Sequence, residues 1–306
     1  MKLPSLVMPF AAAALALAAA SAPSLADEAP ADSHDIVVEG TRQQVRNEIA
    51  HLLDDQGEQL ARFENGFCPK VIGFDAEWTP KLENLIREDA AAAGIEPDPV
   101  PCRPTAVLIF TEAPQELVTG LRTRMPGLFE GLQTAQTSAM VAEARPFYGW
   151  RAVDLRDRDG RELQSASSIG SSTWNNSPTH AKIVRNAPNS RLQSAVRYEI
   201  VNSYLVADIT KTPGMTLGQI ADFAALEFLL DLERDAPMQA RQDSMLRLFD
   251  VADPTTLPPR MSDFERNLLG GLYSQRENNV RANQQRGRIA RYIAQADTPA
   301  EPKPGR

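Results

Sequence analysis

Residues Met215–Leu232 read MTLGQIADFAALEFLLDL, and this stretch decides the fold. Thr216 is suited to cap a helix, and Gln219 three residues later completes a capping box. From Leu217 to Leu232 the polar residues are Gly218, Gln219, Asp222, Glu227 and Asp231. At 100° per residue, Gln219 and Asp222 fall on one side and Glu227 and Asp231 on nearly the opposite one. Apolar residues take most remaining directions, so the helix belongs inside a domain. It falls short of the ~20 residues needed to span a bilayer. The apolar run Tyr204 to Ile209 before it reads as a strand. A strand feeding a buried central helix predicts an α/β (α+β) fold, with a mixed sheet, packed helices and a helical C-terminal part.

Outward from this core, composition narrows the class. The 306 residues carry 32 Lys and Arg against 40 Asp and Glu, a net charge of −8, which argues against nucleic acid as partner. Residues 1–26 have the form of a signal peptide: Lys2, an apolar region from Phe10 to Ala20, then Ser24-Leu25-Ala26 as a cleavage site. Cleavage after Ala26 would yield a periplasmic or secreted protein, and no later segment is apolar enough to cross a membrane. The two cysteines, Cys68 and Cys102, are expected to form one disulfide in that oxidising compartment. Two Cys and the scattered His34, His51 and His180 make a poor zinc set, so no metal and no cofactor is expected.

Taken in order, residues 27–40 read as an acidic disordered linker holding a short β-type arm. Within it, Asp35-Ile36-Val37-Val38-Glu39 resembles the TonB box near the mature N-terminus of outer-membrane receptors, which implies a TonB-type contact by strand addition. Residues 41–56 read as an amphipathic helix capped at Thr41, with Val45, Ile49, Leu52 and Leu53 inward and His51 at the boundary. Residues 57–295 form the main domain. There Phe67–Phe74 reads as a strand, Thr79–Ala93 as a helix ended by Gly94, and Ala106–Thr111 as an interior strand. Pro114–Arg124 and Ser138–Ala144 read as helices, and Trp150–Leu163 as a hairpin around Asp159-Gly160. Ser165–Pro178 is a polar loop whose serines lack a G-x-S-x-G elbow. Leu192–Thr210 reads as two strands turning at Asn202-Ser203. Asp235–Leu248 has helical composition, Ser262 caps a helix to Tyr273, and Gln275–Gln295 is an Arg-rich helix before a disordered tail, 296–306.

The segments RFENGFCPKVIGF, PGLFEGL and GMTLGQIADFAALEFL resemble a family of uncharacterised exported proteins of Gram-negative bacteria, from which no activity carries over. The element order and LPPRMSDFERNLLGGLY resemble zincin-type metallopeptidases. Zincins need H-E-x-x-H, and no His lies between Met215 and Leu232.

Asp222 is the acid that the helix withdraws from water. It is either a carboxylate bonded to neighbouring backbone or a functional acid perturbed by burial. Gln219 lies beside it, and Asp75 and Asp208 stand at strand ends, where α/β proteins place sites. Two functions follow: a non-catalytic binding or structural protein of the envelope, its partner an envelope protein or peptide, or an enzyme, either a carboxylate hydrolase pairing Asp222 with Asp75 or Asp208 or, as the zincin resemblance implies, a degenerate zincin-like peptidase. Absence of His-based sites favours the first.

Overall fold

The computed structural model describes residues 33–54, 59–129, 131–165, 182–184, 193–233, 236–275 and 280–296. The expected signal peptide with its Ala26 site, the serine-rich loop after Ser165, His180 and the tail beyond Ala296 lie outside them.

A four-stranded mixed sheet forms the centre, built from β1 (Pro69–Ile72), β2 (Ala106–Thr111), β3 (Phe147–Asp157) and β6 (Val196–Asp208). Its order is β1-β2-β6-β3, with β1, β2 and β6 parallel and β3 antiparallel at one edge. A small ladder joins β4 (Gln164–Ser165) to β5 (Lys182–Ile183). The helix α2 (Thr79–Ala93) makes the β1-to-β2 crossover, and Gly94 ends it at φ 98° with its N–H donating to Ala90 O and Ala91 O. Only glycine takes that conformation cheaply.

The central helix α5 (Leu217–Leu229) has the expected capping box: Gln219 N donates to Thr216 Oγ1 and Gln219 Oε1 accepts from Thr216 N. Every residue from Gln219 to Leu229 is buried. It packs on one sheet face with α2 and α7 (Asp263–Tyr273). Outside these, α8 (Ala282–Ala296) packs on α7 and on α1 (Ser33–Leu52), whose Val45, Ile49 and Leu52 join the same core. The opposite sheet face is covered by α3 (Pro114–Arg124), a 3-10 turn at Pro126–Phe129 and α4 (Thr134–Met140), around Val118, Phe129, Tyr148, Trp150 and Val206.

Several expectations are corrected. Ile36, Val37 and Val38 lie within α1 rather than in an extended arm, and Thr41 is inside that helix, not its cap. No proline interrupts Ser33–Leu52, and Gly40 costs only about 1 kcal/mol within a helix. Strand addition through Ile36–Val38 would require unwinding that turn. Where two strands were expected before Thr210, the described residues form one long strand, Val196–Asp208. Ser203 is fully buried and its Oγ donates to Phe228 O at 2.9 Å, while the register against β3 skips Val201 as a bulge. The strand β3 pairs chiefly with β6, and the hairpin at Asp159-Gly160 keeps one bridge, Arg156 to Glu162. Among the described residues of the stretch expected to be helical up to Leu248, the helical elements are α6 (Ala236–Gln239) and a 3-10 turn, because Glu265 on α7 accepts from Ser244 Oγ at 2.7 Å and Met245 N at 2.8 Å. The short helix read at Ser138–Ala144 runs earlier, as α4.

Cys68 and Cys102 are bonded, with Cα atoms 6.1 Å apart, tying the start of β1 to the entry of β2. The bridge fits an oxidising extracellular or periplasmic compartment. Among the described residues no helix is long and apolar enough to cross a membrane. Reducing the bridge, 34 residues apart in sequence, should lower stability by roughly 3–4 kcal/mol. Urea unfolding with and without reductant measures this; identical midpoints would contradict it.

Candidate functional site

The four candidate polar residues do not converge. Asp75 is exposed and its Oδ1 accepts from Glu77 N at 2.8 Å, shaping the turn into α2. Asp208 accepts from Thr210 N at 2.9 Å and Thr210 Oγ1 at 2.7 Å, serving its own turn. Gln219 donates to Pro254 O at 2.9 Å and Pro258 O at 3.1 Å, fastening the proline-rich turn to α5. Among the described residues no three His, Cys, Asp or Glu gather where they could hold a metal.

Asp222 is fully buried and belongs to a cluster with Asp89 and Arg260. Arg260 Nε donates to Asp222 Oδ1 at 3.0 Å and Oδ2 at 3.1 Å, and its Nη2 reaches Asp89 Oδ1 at 2.6 Å. Met261 N donates to Asp222 Oδ2. One guanidinium and one amide therefore occupy the Asp222 carboxylate and clamp the segment before α7 onto α5 and α2. Gly218 makes the crossing possible, since a Cβ there would sit 2.9 Å from Arg260 Cδ and 3.2 Å from Pro259 O.

Asp89 was not singled out by the sequence reading, yet it lies on the buried stripe of Leu82, Ile86, Ala90 and Ala93. Its carboxyl is pushed up to about 7, first by burial, then by the charge and hydrogen bond of Asp222, with Arg260 opposing. Asp89 Oδ2 is buried without a partner, and a proton on it supplies a donor toward Asp222. The folded state thus holds a proton that the unfolded state, at 3.8, has released. Stability should fall as pH rises from about 4 to 7 and level off above. Asp89→Asn mimics the protonated form; it should flatten that slope and raise stability at pH 8 by roughly 1–3 kcal/mol. Unfolding midpoints from pH 4 to 8 measure this, and an unchanged slope would contradict it.

A different place has room for a ligand. A cleft of about 1560 Å³ runs along β3, between α4 on one side and the end of α5 with α6 on the other. Arg151 and Glu227 form a buried ion pair in it: Arg151 Nη2 donates to Glu227 Oε2 at 3.0 Å and to Glu227 O at 2.6 Å, near the end of α5. Burial pushes the Glu227 carboxyl up, against the pull of Arg151. Arg151 Nε is buried in this wall without an acceptor. Gly149 leaves the space that Glu227 fills. The described lining carries seven carboxylates against three arginines, a formal charge of −4. Leu132, Met140, Pro237 and Met238 give apolar wall, with Met238 82% exposed. Neither Asp89 nor Asp222 lines it.

Compared with protein-family models, curated proteins and solved structures, the chain matches none.

Proposed function

We propose that this chain is a non-catalytic binding protein of the bacterial envelope that holds an envelope protein or peptide in the cleft along β3. The cleft carries the reading: at about 1560 Å³ it exceeds small-molecule pockets and has mixed apolar and acidic walls. The leader-like residues 1–26 and the disulfide support an exported setting. The competing reading, a carboxylate hydrolase at Asp222, has little support. Both oxygens of that residue are engaged, it is fully buried, and Asp75 and Asp208 serve separate turns.

A photo-crosslinking residue at Met238, on the cleft, and another at Val100, 76% exposed and outside it, test the proposal in intact envelopes. Polypeptide adducts at position 238 and none at 100 are expected. No adducts at 238, or equal adducts at both, would overturn it.

A further inference from the structure

We infer that the cleft takes its partner as an added strand on β3, and that the partner segment is extended, with basic and apolar side chains alternating. This rests on the cleft being a polypeptide site and says how the polypeptide is held.

The backbone geometry gives the direction of each β3 group. Pro146 O accepts from Asp208 N, so even-numbered residues here turn their main-chain groups toward β6. Asp157 N donates to Arg161 O, so odd-numbered residues turn theirs away. In an antiparallel ladder the N–H and C=O of one residue point the same way. Phe147, Gly149 and Arg151 thus present N–H and C=O to the cleft, and all three line it. Among the described residues no strand flanks β3 on that side, and no hydrogen bond engages these six groups. Toward the other end, Gly131 lies against Val153 O and Arg161 covers Asp157. The open run is therefore about five residues, ~17 Å at strand rise. Half-buried edges with unmet main-chain groups are templates for strand pairing.

The two walls determine the partner's pattern. A strand added to β3 sends successive side chains to opposite sides. One side meets Leu132 and Met140 beside Phe129; the other meets Glu227, Asp231, Glu233 and Asp250, four acids against Arg151, which holds Glu227, and Arg145, which lies near Asp250. Apolar side chains suit the first and basic ones the second. A second copy is a poor occupant, because it would bring two clefts of formal charge −4 together.

The probe is the amidated heptapeptide Val-Lys-Val-Lys-Val-Lys-Val, carrying a fluorophore at its N-terminus and titrated against the full chain by fluorescence anisotropy. Two further forms carry N-methyl groups on alternate residues, in the two possible phases. Saturable binding is expected, weakened tenfold or more by methylation in one phase and little changed by the other. Glu in place of Lys in the peptide, or Asp250→Lys in the protein, should weaken binding tenfold or more. Equal binding of both methylated phases would overturn strand addition while leaving the cleft reading, judged by the Met238 adducts, intact. No binding of the parent peptide, or a dimer in solution that the peptide does not dissociate, would also overturn it.

Discussion

Asp222→Ala should destabilise the fold by about 3–5 kcal/mol at pH 7, as removal of one partner from a buried ion pair does. The carboxylate it removes accepts from Arg260 Nε and Met261 N inside a fully buried site. The Met261 amide is left without its acceptor. Arg260, whose side chain is 45% exposed, regains some water and keeps Asp89, which places the effect toward the lower end. The same substitution removes the charge and hydrogen bond that help push Asp89 up, so the pH slope between 4 and 7 should shrink. Urea unfolding of the single variants and of Asp89→Asn with Asp222→Ala forms a double-mutant cycle, and strict additivity would contradict the coupling. A loss below about 1 kcal/mol would contradict the clamp itself.

Leu229→Ala should cost roughly 2–5 kcal/mol, the range for a buried leucine truncated in a close-packed core. Leu229 is fully buried near the end of α5, and its carbonyl accepts from Tyr273 Oη at 2.7 Å. The Tyr273 hydroxyl is itself held protonated well above its usual range, chiefly by burial. The shared contact ties α5 to α7, so a cavity beneath it has little freedom to collapse. Thermal or urea unfolding measures the loss, and a value under about 1 kcal/mol would place α5 outside the core.

Where local chemistry fixes an element, the sequence was legible to the residue. Thr79–Ala93, Ala106–Thr111 and Pro114–Arg124 have the bounds expected of them, and Ser262 with Glu265 starts α7 as read. Thr216 and Gln219 close the expected box on α5. Misreadings came where tertiary contacts overrode local signals. Asn202-Ser203 looks like a turn, yet pairing with β3 and the Ser203 bond to Phe228 O keep β6 continuous. The Asp235–Leu248 composition favours helix, yet Glu265 captures Ser244 and Met245.

The candidate site was half legible. Burial of Asp222 followed from the helix alone, but its partners lie far off in sequence: Arg260 is 38 residues away, and 171 separate Arg260 from Asp89. The stripe Leu82, Ile86, Asp89, Ala93 carried a readable signal for Asp89, an acid at an inward position of an amphipathic helix. The cleft carried none. Which strand stands at an edge depends on the order β1-β2-β6-β3, and periodicity along a chain does not contain that order.

Residue-resolved amide hydrogen exchange along β3 in the ligand-free protein tests the open edge most directly. Tyr148, Trp150 and Ala152, whose amides face β6, should exchange slowly, while Phe147, Gly149 and Arg151 exchange fast, in strict alternation. Uniform slow exchange across Phe147–Ala152 would mean that the edge is already occupied, and would contradict a cleft built to receive a strand.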